Sequence, residues 1–285
     1  MTVAYVLSGG ASLGAIQVGM AQALDERGIS PDLVVGTSVG ALNGAYLAGG
    51  GTPAAMQDIW LGLERPDLFP IRPKDSIRAL LGQQPYMVGS DGVRGVLETY
   101  VPFERLEDAT VPFTALATDA QTGAEVRLST GPAVEAILAS AALPGILPPV
   151  EWGDRMLIDG GIANNTPITA AIDAGATEVW VLSTGYACAL PAPPSHPLAL
   201  AIHSIGLLIQ QRLARETQNK IYPVPVRLIP PPCPMDVGPL DFSQSGPLIH
   251  RALIGTRQWL EDGMPLAQPL TLGHHHWPVE SPHHT

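Results

Sequence analysis

Residues 32–48 constrain the fold of this chain more than any other stretch. The apolar run Leu33-Val34-Val35 is rich in β-branched residues and predicts a buried strand, and a helix is predicted from Val39 onward. Gly36-Thr37-Ser38-Val39-Gly40 lies between them. Glycines two residues before and after a serine permit a sharp turn that projects the hydroxyl above a sheet. Because the helix start also directs free N–H groups toward it, Ser38 is a candidate nucleophile.

The same G-x-S-x-G pattern occurs at Gly10-Ala11-Ser12-Leu13-Gly14, between a predicted strand (residues 3–7) and a predicted helix. Here Ser8-Gly9-Gly10 separates the strand from the serine, so the turn is longer and looser. Such a loop presents backbone N–H groups better than it presents one side chain. We favour Ser38 as the nucleophile and residues 9–14 as donors to an oxyanion. The residues alone leave the reverse assignment open.

Composition and charge exclude several classes of protein. The 285 residues suit one large α/β domain or two small ones, and 46% of them are hydrophobic. The net charge of −11 argues against nucleic acid as a partner and against electrostatic docking on anionic membranes. Prolines interrupt the longest apolar run, residues 136–150, so no transmembrane span is expected. At most a transient contact with a membrane surface is expected.

The predicted location is cytoplasmic. Residues 1–7 enter a strand at once, without a basic leader followed by an apolar segment. Cys188 and Cys233 form neither a disulfide framework nor a metal-binding spacing, which favours a reducing compartment.

The order of predicted elements indicates an α/β fold with a mainly parallel central sheet. Predicted strands are 3–7, 32–35, 113–118, 125–128, 156–159, 178–182 and 225–229. Predicted helices are about 15–27, 39–48, 53–63, 76–81, 91–100, 132–141, one capped by Thr166 with Pro167 as its first residue, 198–217 and 244–262. We expect one domain over residues 1–263. Residues 64–90, with four prolines, are either a lid or access segment or a surface excursion, and the Pro/His-rich tail 264–285 is expected to be disordered.

Asp159 is the candidate partner of the serine. It ends an apolar strand and precedes Gly160-Gly161, although a plain Asp-Gly turn is the alternative, and Asp91-Gly92 uses that pair elsewhere. The histidines outside the tail are His196, His203 and His250. None lies in a turn that would direct it at the serine, so we expect surface or packing roles for them.

Four blocks in this order resemble the patatin-like phospholipases, and the resemblance extends from about Val3 to about Leu260. They are Ser8-Gly9-Gly10-Ala11-Ser12-Leu13-Gly14, Gly36-Thr37-Ser38-Val39-Gly40, Ala139-Ser140-Ala141-Ala142-Leu143-Pro144-Gly145 and Asp159-Gly160-Gly161. The resemblance implies a three-layer α/β/α fold and hydrolysis of lipid acyl esters without metal or organic cofactor.

The resemblance also assigns roles to residues. Ser38 matches the nucleophile of a Ser–Asp dyad and Asp159 matches its partner. The glycine loop matches the oxyanion block, with donors expected at Gly9, Gly10 and Ala11. The turn and loop glycines are Gly14, Gly36, Gly40, Gly160 and Gly161.

One departure affects the expected substrate. The oxyanion block of this family usually has a third glycine and a basic residue, where this chain has Ala11 and Leu13. Loss of the cation shifts weight from a phospholipase toward a lysophospholipase, carboxylesterase or thioesterase, or toward a catalytically weak lipid-binding regulatory protein. A dinucleotide site at residues 3–27 is a further alternative, but its fingerprint requires glycine at Ala11.

Overall fold

The computed structural model describes residues 1–70, 72–185, 195, 197–219, 222–233 and 237–266. One sheet contains the strands β1 (Val3–Leu7), β2 (Leu33–Thr37), β3 (Phe113–Asp119), β4 (Glu125–Leu128), β5 (Val150–Trp152), β6 (Arg155–Asp159), β7 (Glu178–Leu182) and β8 (Val226–Ile229). The helices are α1 (Ala15–Asp25), α2 (Val39–Ala48), α3 (Pro53–Gly62), α4 (Arg65–Leu68), α5 (Pro73–Leu80), α6 (Asp91–Tyr100), α7 (Ala133–Ala141), α8 (Gly161–Asn164), α9 (Ile168–Asp173), α10 (Pro197–Asn219) and α11 (Ser245–Glu261).

The centre of the sheet is parallel, in the order β3-β2-β1-β7-β8. Successive side chains of β1 enter different cores, since Tyr5 and Leu7 pack with residues of α1 and α2 whereas Ala4 and Val6 pack with residues of α9. Strands buried on both faces require helices on both faces. The predicted three-layer α/β/α fold is therefore confirmed.

Two strands approach each other end to end along one edge of β3. Ala115 and Leu116 pair with both β2 and β4, so these two strands lie on opposite edges of β3. Ala117 and Thr118 pair with both β4 and β6, which places β6 on the same edge as β2. Because β2 runs parallel to β3 and β6 runs antiparallel, their carboxyl ends meet. This topology brings the residues that follow the two strands together.

A buried polar cluster of Gln17, Asn43 and Trp60 lies beneath the glycine loop. The amide of Gln17 donates to Ser8 O at 2.8 Å and to Leu182 O at 3.1 Å. Asn43 donates to Gln17 Oε1 at 2.8 Å and to the backbone oxygen of Gly14 at 3.0 Å, and it accepts from the Trp60 indole at 2.9 Å. The side-chain amides of Gln17 and Asn43 are therefore fully paired. The cluster joins the loop to α1, α2 and α3.

Several boundaries differ from the predictions. The strand β5 was not predicted, because it contains only three residues, none of them fully buried. The predicted capping of α9 is wrong, since the helix begins at Ile168 with Pro167 at its N-cap. Pro167 has ψ of 57°, outside the helical region, so Pro167 cannot be the first helical residue. Residues 64–90 contain α4 and α5 where one short helix was predicted.

Cys233 is disulfide-bonded in the structure, whereas Cys188 lies outside the described residues. The spacing of the two cysteines did not predict this disulfide, and the cytoplasmic location stays a prediction. The part of the chain that the structure describes contains no helix that is both long and apolar enough to cross a membrane. Most of the predicted tail, residues 267–285, also lies outside that part.

Candidate active site

Ser38 lies on the turn between β2 and α2 with φ 55° and ψ −125°, a conformation that non-glycine residues adopt rarely and that functional sites often contain. Its N–H donates to Ser140 Oγ at 2.9 Å, and the Ser140 hydroxyl donates to Leu116 O at 2.5 Å. The Ser38 hydroxyl makes no capping bond to α2. Ser140 on α7 and Leu116 on β3 therefore hold the strained backbone of Ser38 in place. The Ser38 hydroxyl remains available for chemistry.

The two glycines of the turn are required by close approach. A Cβ on Gly36 would lie 2.3 Å from Gly40 O, and a Cβ on Gly40 would lie 2.2 Å from Leu7 O. Neither distance is compatible with a side chain. The two glycines of the G-x-S-x-G pattern are therefore required because the start of α2 packs closely against β1 and β2.

Asp159 lies at the end of β6 and is only 5% exposed. Its Oδ1 accepts from the Gly161 N–H at 2.7 Å, and the Ser38 side chain lies within hydrogen-bonding reach of its carboxylate. Thr118 Oγ1 donates to the Asp159 backbone oxygen at 2.8 Å, which fixes the residue on β3. Burial raises the pKa of Asp159 to about 6, against the lowering effects of the hydrogen bonds from Ser38 and Gly161.

The two glycines after Asp159 also lack room for a side chain. A Cβ on Gly160 would lie 2.1 Å from Leu116 O, the carbonyl to which Ser140 donates. A Cβ on Gly161 would lie 2.9 Å from Asn165 Oδ1. The Asp-Gly-Gly block is therefore more than a surface turn, because it lets the end of β6 approach β3 and the turn of Ser38 together.

The glycine loop lies directly against Ser38. A Cβ on Gly9 would meet Asn165 Oδ1 at 2.4 Å and the Ser38 Cβ at 3.0 Å. Gly9 was predicted as an oxyanion donor, but its N–H donates to Asn165 O at 3.3 Å. The N–H groups of Gly10 and Ala11 have no acceptor among the residues that the structure describes. The available donors of the predicted set are therefore Gly10 and Ala11.

The second G-x-S-x-G serine has a different environment from Ser38. Ser12 is 1% exposed, its hydroxyl donates to Gly238 O at 3.1 Å, and its N–H donates to Pro239 O at 2.9 Å. These bonds attach the loop to residues 238–239. The buried Ser12 hydroxyl is already engaged with backbone, which makes Ser12 a poor candidate for the nucleophile.

Ser38, Asp159 and Gly10 line a cavity of about 720 Å³. Its wall is mostly apolar, with Leu42, Trp60, Phe69, Leu143, Ile209 and Phe242 among the lining residues. Phe69 belongs to the segment 64–90, so this segment contributes to the cavity wall. A pocket of this size with few polar groups suits a small organic ligand that has a large apolar part.

His203, on α10, is half-buried in the cavity wall, a position that its helical pattern did not predict. His250 is exposed on α11, and His196 lies outside the described residues. Arg65 is the one Lys or Arg among the described residues that line the cavity. Within the described ranges, no cluster of three or more His, Cys, Asp or Glu side chains is arranged to hold a metal ion.

Comparison with known proteins identifies the family. The model of the patatin-like phospholipase family matches residues 5–172, more than half of the chain. The chain therefore belongs to the patatin-like phospholipase family.

Two curated relatives have NTE names. The chain is 31% identical to an uncharacterized NTE family protein of Mycobacterium tuberculosis, over 68% of this chain and 52% of that protein. It is 30% identical to lysophospholipase NTE1 of Saccharomyces cerevisiae, over 65% of this chain and 11% of that protein. The chain thus spans about half of the mycobacterial relative and about a tenth of the yeast one. Among solved structures, VipD from Legionella pneumophila aligns with a TM-score of 0.49 and 14% identity, over 94% of this chain and 68% of VipD.

The buried carboxylate predicts a pH-dependent cost in stability. The pKa of Asp159 is about 6 in the folded protein against an ordinary value of 3.8, so between about pH 4 and 6 the folded state retains a proton that the unfolded state loses. Stability falls as pH rises through this window, by up to about 3 kcal/mol. Asp159→Asn removes the charge and should raise the free energy of unfolding at pH 8 but not at pH 4. Urea titrations at both pH values measure this, and an equal effect at both would contradict it.

Proposed function

We propose that this protein is a serine acyl hydrolase that cleaves lipid esters, with Ser38 as nucleophile and Asp159 as general base. One observation carries the proposal: Ser38, on a strained turn at the wall of an apolar cavity, lies within hydrogen-bonding reach of a buried carboxylate. Membership of the patatin-like phospholipase family and relatives named lysophospholipase support the substrate class.

The reaction takes place in two halves. Ser38 Oγ attacks the acyl carbonyl while Asp159 takes the hydroxyl proton, and the N–H groups of Gly10 and Ala11 stabilise the oxyanion. Asp159 then gives the proton to the departing alcohol, which leaves an acyl group on Ser38. Water attacks this acyl-enzyme while Asp159 takes its proton, and Asp159 then returns that proton to Ser38 Oγ as the bond to the acyl group breaks and the carboxylic acid leaves.

The raised pKa of Asp159 fits this role. A general base is most effective when its pKa lies close to the working pH, and burial brings the pKa of Asp159 to about 6. Deprotonated Asp159 is the active form, so activity should rise through about pH 6 toward a plateau. Unperturbed histidine has a pKa of about 6.5, so a pH profile cannot separate the two kinds of base.

A serine-directed probe tests the proposal most directly. Wild-type protein should be labelled by a fluorophosphonate, and Ser38→Ala should lose both labelling and ester hydrolysis while it remains folded. Ser12→Ala is the matched control and should keep its labelling. Intact-mass and peptide mass spectrometry identify the modified residue. Modification of Ser12 would reverse the assignment, and absence of labelling in the wild type would favour a lipid-binding protein instead.

Asp159 and His203 are competing bases at the cavity, and substitution distinguishes them. Asp159→Asn keeps the shape and the Gly161 hydrogen bond but cannot accept a proton, so kcat should fall by about 10²-fold or more. His203→Ala should keep substantial hydrolysis, and so should His250→Ala, a surface control. Steady-state kinetics on a soluble ester measures all three. If a folded His203→Ala protein is as inactive as Asp159→Asn, the proposed dyad is wrong and His203 belongs to a catalytic triad.

Leu13 lines the cavity, so a cation introduced there should change substrate preference. Leu13→Arg restores the basic residue usual in the family, and its positive charge should attract an anionic head group. We expect kcat/KM to rise several-fold on a lysophospholipid relative to a monoacylglycerol with the same acyl chain. Leu13→Gln controls for polarity. Equal changes on both substrates would remove the argument that the missing cation governs head-group preference.

A further inference from the structure

We propose that Thr184 is a positioning residue of the active site, whose hydroxyl orients the Gly10 N–H toward the oxyanion. The inference rests on the proposed function, because it explains how one proposed oxyanion donor, the Gly10 N–H, is held in position. It concerns a residue outside the four sequence blocks. Thr184 does not contact the reacting atoms in this assignment but acts through a backbone peptide.

The topology of the sheet places Thr184 next to the glycine loop. The strands β1 and β7 are parallel neighbours with Leu7 opposite Leu182, so the residues after each strand leave the sheet side by side. Ser8 N–H donates to Leu182 O at 3.3 Å, and Thr184 N–H donates to Ser8 Oγ at 2.9 Å. Thr184 is 4% exposed, and its side chain is therefore held between the loop and the end of β7.

The Thr184 hydroxyl holds one particular carbonyl of the loop. Thr184 Oγ1 donates to Gly9 O at 2.5 Å, and it lies 3.2 Å from Ser8 Oγ. Asn165 Nδ2 also donates to Gly9 O, at the longer distance of 3.3 Å. A Cβ on Gly10 would lie 2.3 Å from Thr184 Oγ1, so the hydroxyl packs directly on the Gly9–Gly10 peptide.

Planarity of the peptide bond transmits this contact to the oxyanion donor. The Gly9 carbonyl and the Gly10 N–H belong to the same peptide plane, and in a trans peptide they point in opposite directions. A bond that holds Gly9 O toward Thr184 therefore holds the Gly10 N–H away from Thr184. That N–H has no acceptor in the described part of the chain, and Gly10 lines the cavity.

The loop needs such a restraint because of its glycines. Two consecutive glycines allow a peptide plane to rotate at little steric cost. A donor in an oxyanion hole contributes only when it is already aimed before charge develops, and loss of one donor lowers kcat by about 10²–10³-fold. Removal of the hydroxyl that fixes the plane should therefore lower kcat more than it changes KM.

Three variants test the role of the hydroxyl. Thr184→Val keeps the shape but loses the hydrogen bond, and kcat on a soluble acyl ester should fall roughly 10- to 100-fold with KM within about threefold. Thr184→Ser restores the hydroxyl and should recover most of the lost kcat. Thr256→Val is the matched control, because Thr256 is 0% exposed and its hydroxyl has no partner among the described residues. The kcat of the Thr256→Val protein should equal that of the wild type.

Inhibitor binding separates positioning from a merely structural role. A trifluoromethyl ketone forms an oxyanion adduct with the serine, whereas the product fatty acid does not. Thr184→Val should weaken binding of the ketone in proportion to the fall in kcat/KM, and it should leave binding of the fatty acid unchanged. Equal losses for both ligands, or activity equal to that of Thr256→Val, would overturn the inference. Failure of wild-type protein to hydrolyse esters or react with a fluorophosphonate would instead overturn the proposed function.

Discussion

The site depends on two strand ends that meet on one edge of β3. Because β2 and β6 approach each other from opposite directions, the residues that follow them, Ser38 and Gly160, leave the sheet at the same point. Leu116 O lies at this junction: it accepts from Ser140 Oγ and would be 2.1 Å from a Cβ on Gly160. The sheet topology therefore sets the separation of serine and carboxylate, and no long flexible side chain is needed to bridge them.

The strain in this arrangement is offset by buried polar contacts around it. A non-glycine residue at positive φ costs about 1–3 kcal/mol, and Ser38 persists there because its N–H is fixed by Ser140. The cluster of Gln17, Asn43 and Trp60 adds a rigid support, since it holds the carbonyls of Ser8 and Gly14 at the two ends of the glycine loop. Fully paired buried networks of this kind rigidify the parts that they connect. The loop is consequently supported by Gln17 and Asn43, which are not among the residues that line the cavity.

The order of predicted elements indicated a mainly parallel sheet, and Ser38 and Asp159 were found because apolar runs followed by closely spaced glycines leave local signals in the sequence. The sequence did not predict that Asn165 and Thr184 contact the glycine loop, because these contacts depend on strands that are distant in sequence lying side by side. The same limit explains Gly9: a glycine-rich loop indicates available N–H groups, but only the tertiary contact with Asn165 shows which one is already used. His203 lies on a long amphipathic helix whose pattern cannot distinguish a cavity wall from solvent.

Ala11 and Leu13 stand where the family usually has a glycine and a basic residue, and the two differences affect different parts of the proposed reaction. Ala11 has φ 51°, which explains why glycine is usual there, and the left-handed conformation costs alanine about 1 kcal/mol. The Ala11 N–H shares a peptide plane with Gly10 O, and Gly10 O accepts from the Leu13 N–H at 3.1 Å. This local turn uses the backbone of Leu13 and not its side chain, so loss of the basic residue leaves the donor in place. The substitution should therefore alter recognition of the head group, where Arg65 is the remaining cation of the described cavity wall, and leave oxyanion stabilisation to the backbone.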